Sequence, residues 1–365
     1  MKYLDEFRDP ELARALLARI KARVDRPLRL MEFCGTHTHA IMRYGIRQLL
    51  PPQITMLSGP GCPVCVTSAA DLDGAIALAA LPDATVATFG DMLRVPGSQR
   101  SLAEARAQGA DVRVIYSGLD ALEMARSYPQ RTIVLLGVGF ETTAPTIAAS
   151  LLQAEREGLA NLRVFSLHKR TPPATAAILQ AGEVALDGIL APGHVSAILG
   201  ATAWDFVARD FGLPCAVTGF EPLDLLQGIA DLVDQAAAGV ASVHNTYARG
   251  VKSGGNPVAL RTLSEVFGPS DAAWRGLGVV PGSGLSLRPR FAAFDASPLL
   301  AARGFDGSSA REPAGCRCGE VLRGVLSPPA CPLFGRACTP ERPIGPCMVS
   351  SEGSCAAHHR YGGAL

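Results

Sequence analysis

Short apolar runs recur along the chain at intervals of roughly 25 to 30 residues up to about residue 245, and the stretches between them carry helical periodicity. The runs "LRLMEF", "ITMLSG", "TVATFG", "VRVIYS", "TIVLLGVGF", "LRVFSL", "DGILAPG" and "PCAVTGF" predict strands. The Ala/Leu-rich stretches "TSAADLDGAIALAAL", "TAPTIAASLLQAEREGL", "PPATAAILQAGEVAL" and "EPLDLLQGIADLVDQAAAG" predict helices with one apolar face. The strands lack polar alternation, so both of their faces are expected to be covered, as in parallel sheets flanked by helices. The predicted class is α/β. Eight strands suit one large sheet or two smaller ones. The polar connector "RSYPQRT" favours two similar lobes divided near residue 130, giving units 1–130 and 131–270. Beyond about residue 270 the chain turns to Pro, Gly, Ser and Cys, and a small irregular third unit, 271–365, is expected.

Composition narrows the functions available. The 365 residues are 48% apolar and 18% charged with a formal net charge of +1, which describes a packed globular protein and gives no bulk-charge reason to bind nucleic acid or a membrane surface. The N-terminal stretch has charges throughout and reads as neither a secretory signal nor a span, and "GAIALAALP" is too short to cross a bilayer. A cytoplasmic protein is expected. Ten cysteines in a reducing compartment argue for metal ligation or redox chemistry rather than a disulfide framework.

Three cysteine constellations stand out. "FCGTHTHA" places Cys34, His37 and His39 directly after a strand, where α/β proteins form ligand sites. "SGPGCPVCVTS" places Cys62 and Cys65 at a spacing that lets both sulfurs reach one metal or each other, at a helix N-terminus that lowers thiol pKa; two buried thiols in a tight turn are the plainer alternative. If the strands before these motifs are neighbours, the three thiols share one edge. The C-terminal set is Cys316, Cys318, Cys331, Cys338, Cys347 and Cys355. Its irregular spacing lacks the paired knuckles of a zinc ribbon and suits an iron–sulfur cluster, with structural zinc and a disulfide staple as the alternatives. Six thiols exceed the four that either metal site needs, and a spare pair beside a one-electron centre can cycle between dithiol and disulfide.

Other loops follow strands. "GVGFETTAPT" offers Glu141, Thr142 and Thr143 after a Gly-x-Gly turn, without a third glycine or a P-loop; helix capping is the competing role. "SLHKRTPP" brings His168, Lys169 and Arg170, and "APGHVS" brings His194, to strand ends. Cys215 reads as core, and His358 and His359 as solvent-facing.

With "FCGTHTHA", "GPGCPVC", "GFETT", "PGHVS" and "CMVSSEGSCAA" in this order, the chain resembles the HypD family of hydrogenase maturation factors over essentially its whole length. The resemblance implies two α/β domains and a C-terminal domain whose [4Fe–4S] cluster is held in a C-x14-C-x6-C-x16-C pattern, which falls on Cys316, Cys331, Cys338 and Cys355. Cys318 and Cys347 are then the spare pair near the cluster, an arrangement similar to ferredoxin:thioredoxin reductase. The implied role is assembly of the Fe(CN)2CO unit of [NiFe] hydrogenases, with a HypC-type chaperone and a HypE-type donor that carries cyanide as a thiocyanate. Cys34 is the implied iron ligand, with Cys62 and Cys65 as further metal-binding or redox thiols. His37 and His39 would position ligands and manage protons, and Glu141, Thr142, Thr143 and His194 would line the cleft. "AAHHRYGG" departs locally, with histidines where aromatic residues are expected. Two other functions compete: a ferredoxin-linked protein disulfide reductase acting through Cys62 and Cys65, and a zinc scaffold. Both would leave Cys34, His37 and His39 idle.

Overall fold

The computed structural model describes residues 5–362. All eight predicted strands form: β1 (Leu28–Glu32), β2 (Ile54–Ser58), β3 (Ala84–Thr88), β4 (Val112–Val114), β5 (Thr132–Gly137), β6 (Leu162–Ser166), β7 (Gly188–Pro192) and β8 (Cys215–Thr218). A ninth parallel strand, β9 (Val243–Asn245), joins them. At three residues, with a central histidine, it has no apolar run to announce it. The four predicted helices also form, as Ala69–Ala79, Ala144–Glu157, Thr171–Ala181 and Pro222–Ala238.

The strands make two parallel sheets, ordered β2-β1-β7-β8-β9 and β4-β3-β5-β6. Each sheet starts with a strand that hands the chain to one neighbour and later receives the next strand on its other side. The order is the doubly wound 2-1-3-4 pattern in both, so the two lobes are alike. They are not consecutive in sequence, however. The whole second sheet is inserted between β2 and β7, and a boundary at residue 130 falls inside it, because Val86 of β3 pairs with Val134 of β5. The polar connector before β5 is therefore an ordinary helix-to-strand turn. Periodicity reports which segments are strands and says nothing about which strands pair.

Within each sheet alternate residues face opposite layers. Leu28 and Leu30 of β1 pack outward with Ile229 and Val233, while Met31 and Phe33 turn inward. In β5, Ile133 and Leu135 face an outer layer, while Val134 and Leu136 face in. The inner layer is shared: residues from both lobes pack there together with Cys318, Leu322, Cys347 and Met348 of the C-terminal segment.

The expected irregular region holds an antiparallel hairpin, β10 (Phe267–Trp274) and β11 (Gly278–Leu287), as well as short helices. Pro269 and Pro281 hid it, since proline reads as a breaker, but a two-stranded hairpin has outward-facing positions where a missing N–H costs nothing. The hairpin leans on the second lobe through the Arg170 N–H, which donates to Ser283 O at 2.7 Å. Among the described residues, no helix is long and apolar enough to cross a membrane.

Candidate functional site

Parallel strands deliver their following loops to one edge, and in the first sheet that edge collects most of the predicted motifs. β1 lies between β2 and β7, so the residues after it sit where the strand order reverses, the usual ligand position in such sheets. Cys34 follows β1 and begins the helix Gly35–Arg43. The loop after β2 crosses directly over it: Gly61 O accepts from the Gly35 N–H at 2.9 Å, and a Cβ on Gly61 would stand 2.2 Å from the Cys34 nitrogen. Only glycine allows that approach, which explains the Gly-Pro-Gly before Cys62.

Cys34 is a free, buried thiol. Burial pushes its pKa up to about 12, with the charges of Glu352 and Glu32 adding to the effect. Beneath it, Glu32 is fully enclosed; its carboxyl accepts from the Cys34 N–H at 2.8 Å and from the Thr38 hydroxyl, and desolvation nevertheless lifts it to about 8. Glu352 approaches from the C-terminal segment and accepts from the Thr36 hydroxyl at 2.7 Å. Glu352 lies within "CMVSSEGSCAA", yet nothing local in the sequence links it to a residue over three hundred positions away.

The two histidines of the motif part company. His37 is 0% exposed, and neither ring nitrogen has a hydrogen-bond partner. Desolvation holds it neutral, down to about 3. Its ring lies 5.0 Å from that of Phe220, after β8, and Phe220 stacks on His194, after β7, at 3.7 Å. Three strand ends thus meet in one His–Phe–His stack, whose His194 is solvent-exposed. His39 instead turns to the C-terminal segment, with Nδ1 3.2 Å from Ser351 O and its ring edge-on to Tyr361. His358, expected to face solvent, is partly buried with Nε2 2.7 Å from Arg47 Nη1, while His359 is exposed. The packing of the last helix, Ser354–Tyr361, against Gly35–Arg43 makes the difference.

Cys62 and Cys65 are bonded to each other across a Cα–Cα distance of 5.2 Å, and Cys318 and Cys347 likewise across 6.4 Å. In this state none of the four is available to a metal. The pairs adjoin: Cys65 Sγ lies 3.9 Å from the carbonyl of Pro346, the residue before Cys347. The remaining C-terminal cysteines, Cys316, Cys331, Cys338 and Cys355, are free. They lie near one another: after burial, the charges of Cys316, Cys338 and Cys331 push the Cys355 thiol up. Gly345 admits the backbone there, a Cβ at that position standing 2.5 Å from Cys316 Sγ, and the Ile344 N–H points at Cys338 Sγ at 3.3 Å. Among the described residues no three His, Cys, Asp or Glu side chains converge on a single ion. Four neighbouring free thiols match in number and type the one thiolate per iron that a cubane takes.

The second lobe's motif is differently employed. Glu141 is buried, its two oxygens accepting from the Thr171 N–H at 2.9 Å and hydroxyl at 3.0 Å, so it closes the start of the helix Thr171–Ala181. Thr143 turns back to the carbonyls of Val138 and Phe140, and Thr142 is half-buried. Lys169 pairs with Asp71 at 3.0 Å, and Cys215 is core as expected. The Glu141 turn still reaches the thiols indirectly: Phe140 stacks on Trp274, which bridges to Thr67, two residues past Cys65.

Fold and site together define a class: a two-lobed α/β protein with a free thiol at one switch point, two adjoining cysteine pairs and a nest of four thiols. A family profile described as "HypD: Hydrogenase formation hypA family" matches residues 11–362. The chain is 47% identical over 374 residues to the hydrogenase maturation factor HypD of Rhodobacter capsulatus, covering 100% of this chain and 99% of that one. It is 49% identical to HypD of Azotobacter vinelandii over 371 residues, covering 99% and 97%. With HypD of Escherichia coli (strain K12) the identity is 44% over 369 residues, covering 99% and 98%. The chain belongs to the HypD family.

Proposed function

We propose that this protein matures [NiFe] hydrogenase in the cytoplasm by holding an iron ion, its substrate, at Cys34 while cyanide and carbon monoxide ligands are added. A HypC-type chaperone would share the iron and a HypE-type partner would deliver cyanide as a thiocyanate. The observation that carries the reading is a single free thiol at the switch point of a parallel sheet, one loop away from a cysteine pair. Low-spin iron bearing cyanide and carbon monoxide favours soft donors, and a metal displaces the proton that burial otherwise keeps on Cys34.

Releasing cyanide from a thiocyanate needs two electrons. The dithiol of Cys62 and Cys65 supplies them by becoming a disulfide: the carrier's S–CN bond breaks, the S–S bond forms, and the two thiol protons leave with the carrier thiol and hydrogen cyanide. Exchange with a Cys318/Cys347 dithiol, whose neighbouring backbone contacts Cys65, restores the first pair. Cys316, Cys331, Cys338 and Cys355 would hold a [4Fe–4S] cluster, which would supply one-electron transfer from an external ferredoxin-type donor. His37 and His194 shape the cleft beside Cys34, and the neutrality of His37 leaves it able to accept a hydrogen bond from an incoming ligand. The Glu141 turn supports the far wall.

The test is anaerobic co-purification with the small chaperone, followed by metal analysis and infrared spectroscopy of wild type and Cys34→Ala. About four irons per chain alone, extra iron with cyanide and carbon monoxide bands in the complex, and loss of those bands in the variant are expected. Zinc without bands, or disulfide turnover with no second iron, would sink the assembly role.

A further inference from the structure

We infer that Arg275 is the charge partner of the iron–sulfur centre and raises its reduction potential, an inference that rests on the cluster proposed at Cys316, Cys331, Cys338 and Cys355. Arg275 occupies the tip of the β10–β11 hairpin, where the glycine after it has φ of +81° and a Cβ at that glycine would meet the Gly319 backbone at 2.4 Å. The tip is thereby pressed onto the segment that carries Cys316 and Cys318. From the other side its N–H donates to Val66 O at 2.9 Å and its Nε to Thr67 O at 3.1 Å, just past Cys65. The residue stands between the two redox sites.

Arg275 is 3% exposed. One nitrogen, Nη1, pairs with Glu312, whose side chain is half in solvent. The other, Nη2, is buried without any partner. A guanidinium keeps its charge, and burying it with a donor unsatisfied is costly unless a further acceptor or negative charge completes the site. Beyond Glu312, the charges of Cys316 and Asp71 also act to keep it protonated, against the desolvation that lowers its pKa. Four thiolates around an iron–sulfur core leave a net negative charge that grows by one on reduction. A fixed buried cation beside them, with a free N–H to offer a sulfur, favours the reduced form, since net charge and hydrogen bonds to sulfur set such potentials. The step concerned is the uptake of one electron from the external donor, with no bond made or broken in the protein.

Full-length protein loaded with cluster under anaerobic conditions is titrated with dithionite, and the reduced cluster is followed by electron paramagnetic resonance. The midpoint of Arg275→Gln is expected to fall below that of wild type, that of Arg275→Lys to lie between them, and that of Glu312→Gln to rise. An Arg275→Gln protein with its full iron content and an unchanged midpoint overturns the inference. If Arg275→Gln fails to take up iron, Glu312→Gln decides: a raised midpoint supports the inference and an unchanged one overturns it. Wild type without acid-labile sulfide or a reduced-cluster signal removes the cluster reading itself, and this inference with it.

Discussion

The C-terminal edges of the two sheets descend from the same strand order, yet the first keeps reactive groups open and the second engages its own internally. After β1 stands a free thiol, and after β7 and β8 a stack in which His37 has two unbonded nitrogens. After β5 the carboxylate of Glu141 closes a helix, and after β6 Lys169 pairs with Asp71. His168 lies between these cases, with Nδ1 3.1 Å from the Ser166 hydroxyl and Nε2 unpartnered. One topology therefore provides both a reaction edge and a supporting edge, and side-chain satisfaction tells them apart.

The largest expected effect tests the first edge. Cys34→Ala should lose the infrared bands of the iron unit altogether while unfolding close to wild type, because a small buried thiol is replaced by a slightly smaller apolar group. Glu141→Ala should do the reverse. It leaves the Thr171 N–H and hydroxyl buried and unbonded, at a cost of about 2 kcal/mol in denaturant unfolding, with bands per folded molecule unchanged. If Glu141→Ala abolishes the bands at wild-type stability, the second edge is also chemical and the contrast collapses.

Much of this was legible in the sequence, for identifiable reasons. Apolar runs such as "TIVLLGVGF" and the helical stretches register local burial, and local burial is what periodicity measures. The cysteine spacings marked the thiols before any geometry. Three things were not legible. Pairing of β3 with β5 across residue 130, and of β1 with β7, depends on contacts distant in sequence. The hairpin carrying Arg275 is held by docking against Thr67 and Arg170 rather than by propensity. The division of labour between His37 and His39 arises because a helix puts positions two apart on different faces: one faces β8, the other the C-terminal segment.

Acid should reveal the buried histidines of both lobes. Desolvation lowers His37 and His168 from 6.5 to about 3 in the folded protein. The unfolded chain then binds more protons below pH 6.5, so the contribution is intact above that value and is lost as pH falls toward 3. Between pH 7 and 5 each histidine should cost about 2 kcal/mol of stability. Glu32 runs the other way, since its folded value of about 8 makes it penalise the fold as pH rises from its ordinary 4.5. The informative quantity is therefore the difference between wild type and His168→Phe, whose stability should fall less on acidification. An identical pH slope in the two proteins would mean that the second lobe's histidine is hydrated, and closer to the open edge than to the closed one.

The smallest effect concerns how the first edge is fastened by the last helix. Glu352 accepts from Thr36, Ser351 O from His39, and His358 meets Arg47, so the last helix, which bears Cys355, is laid along the helix that begins at Cys34. Thr36→Val removes one hydrogen bond to a charged acceptor without altering side-chain shape, worth about 1 kcal/mol. The effect should be local. Amide exchange in 350–361 and at the start of the Gly35–Arg43 helix should quicken by roughly fivefold, while β5 in the second lobe keeps its wild-type rate. Equal acceleration in both lobes would show that the C-terminal segment secures the shared inner core as a whole, and that the open edge owes its geometry to that core rather than to a clasp of its own.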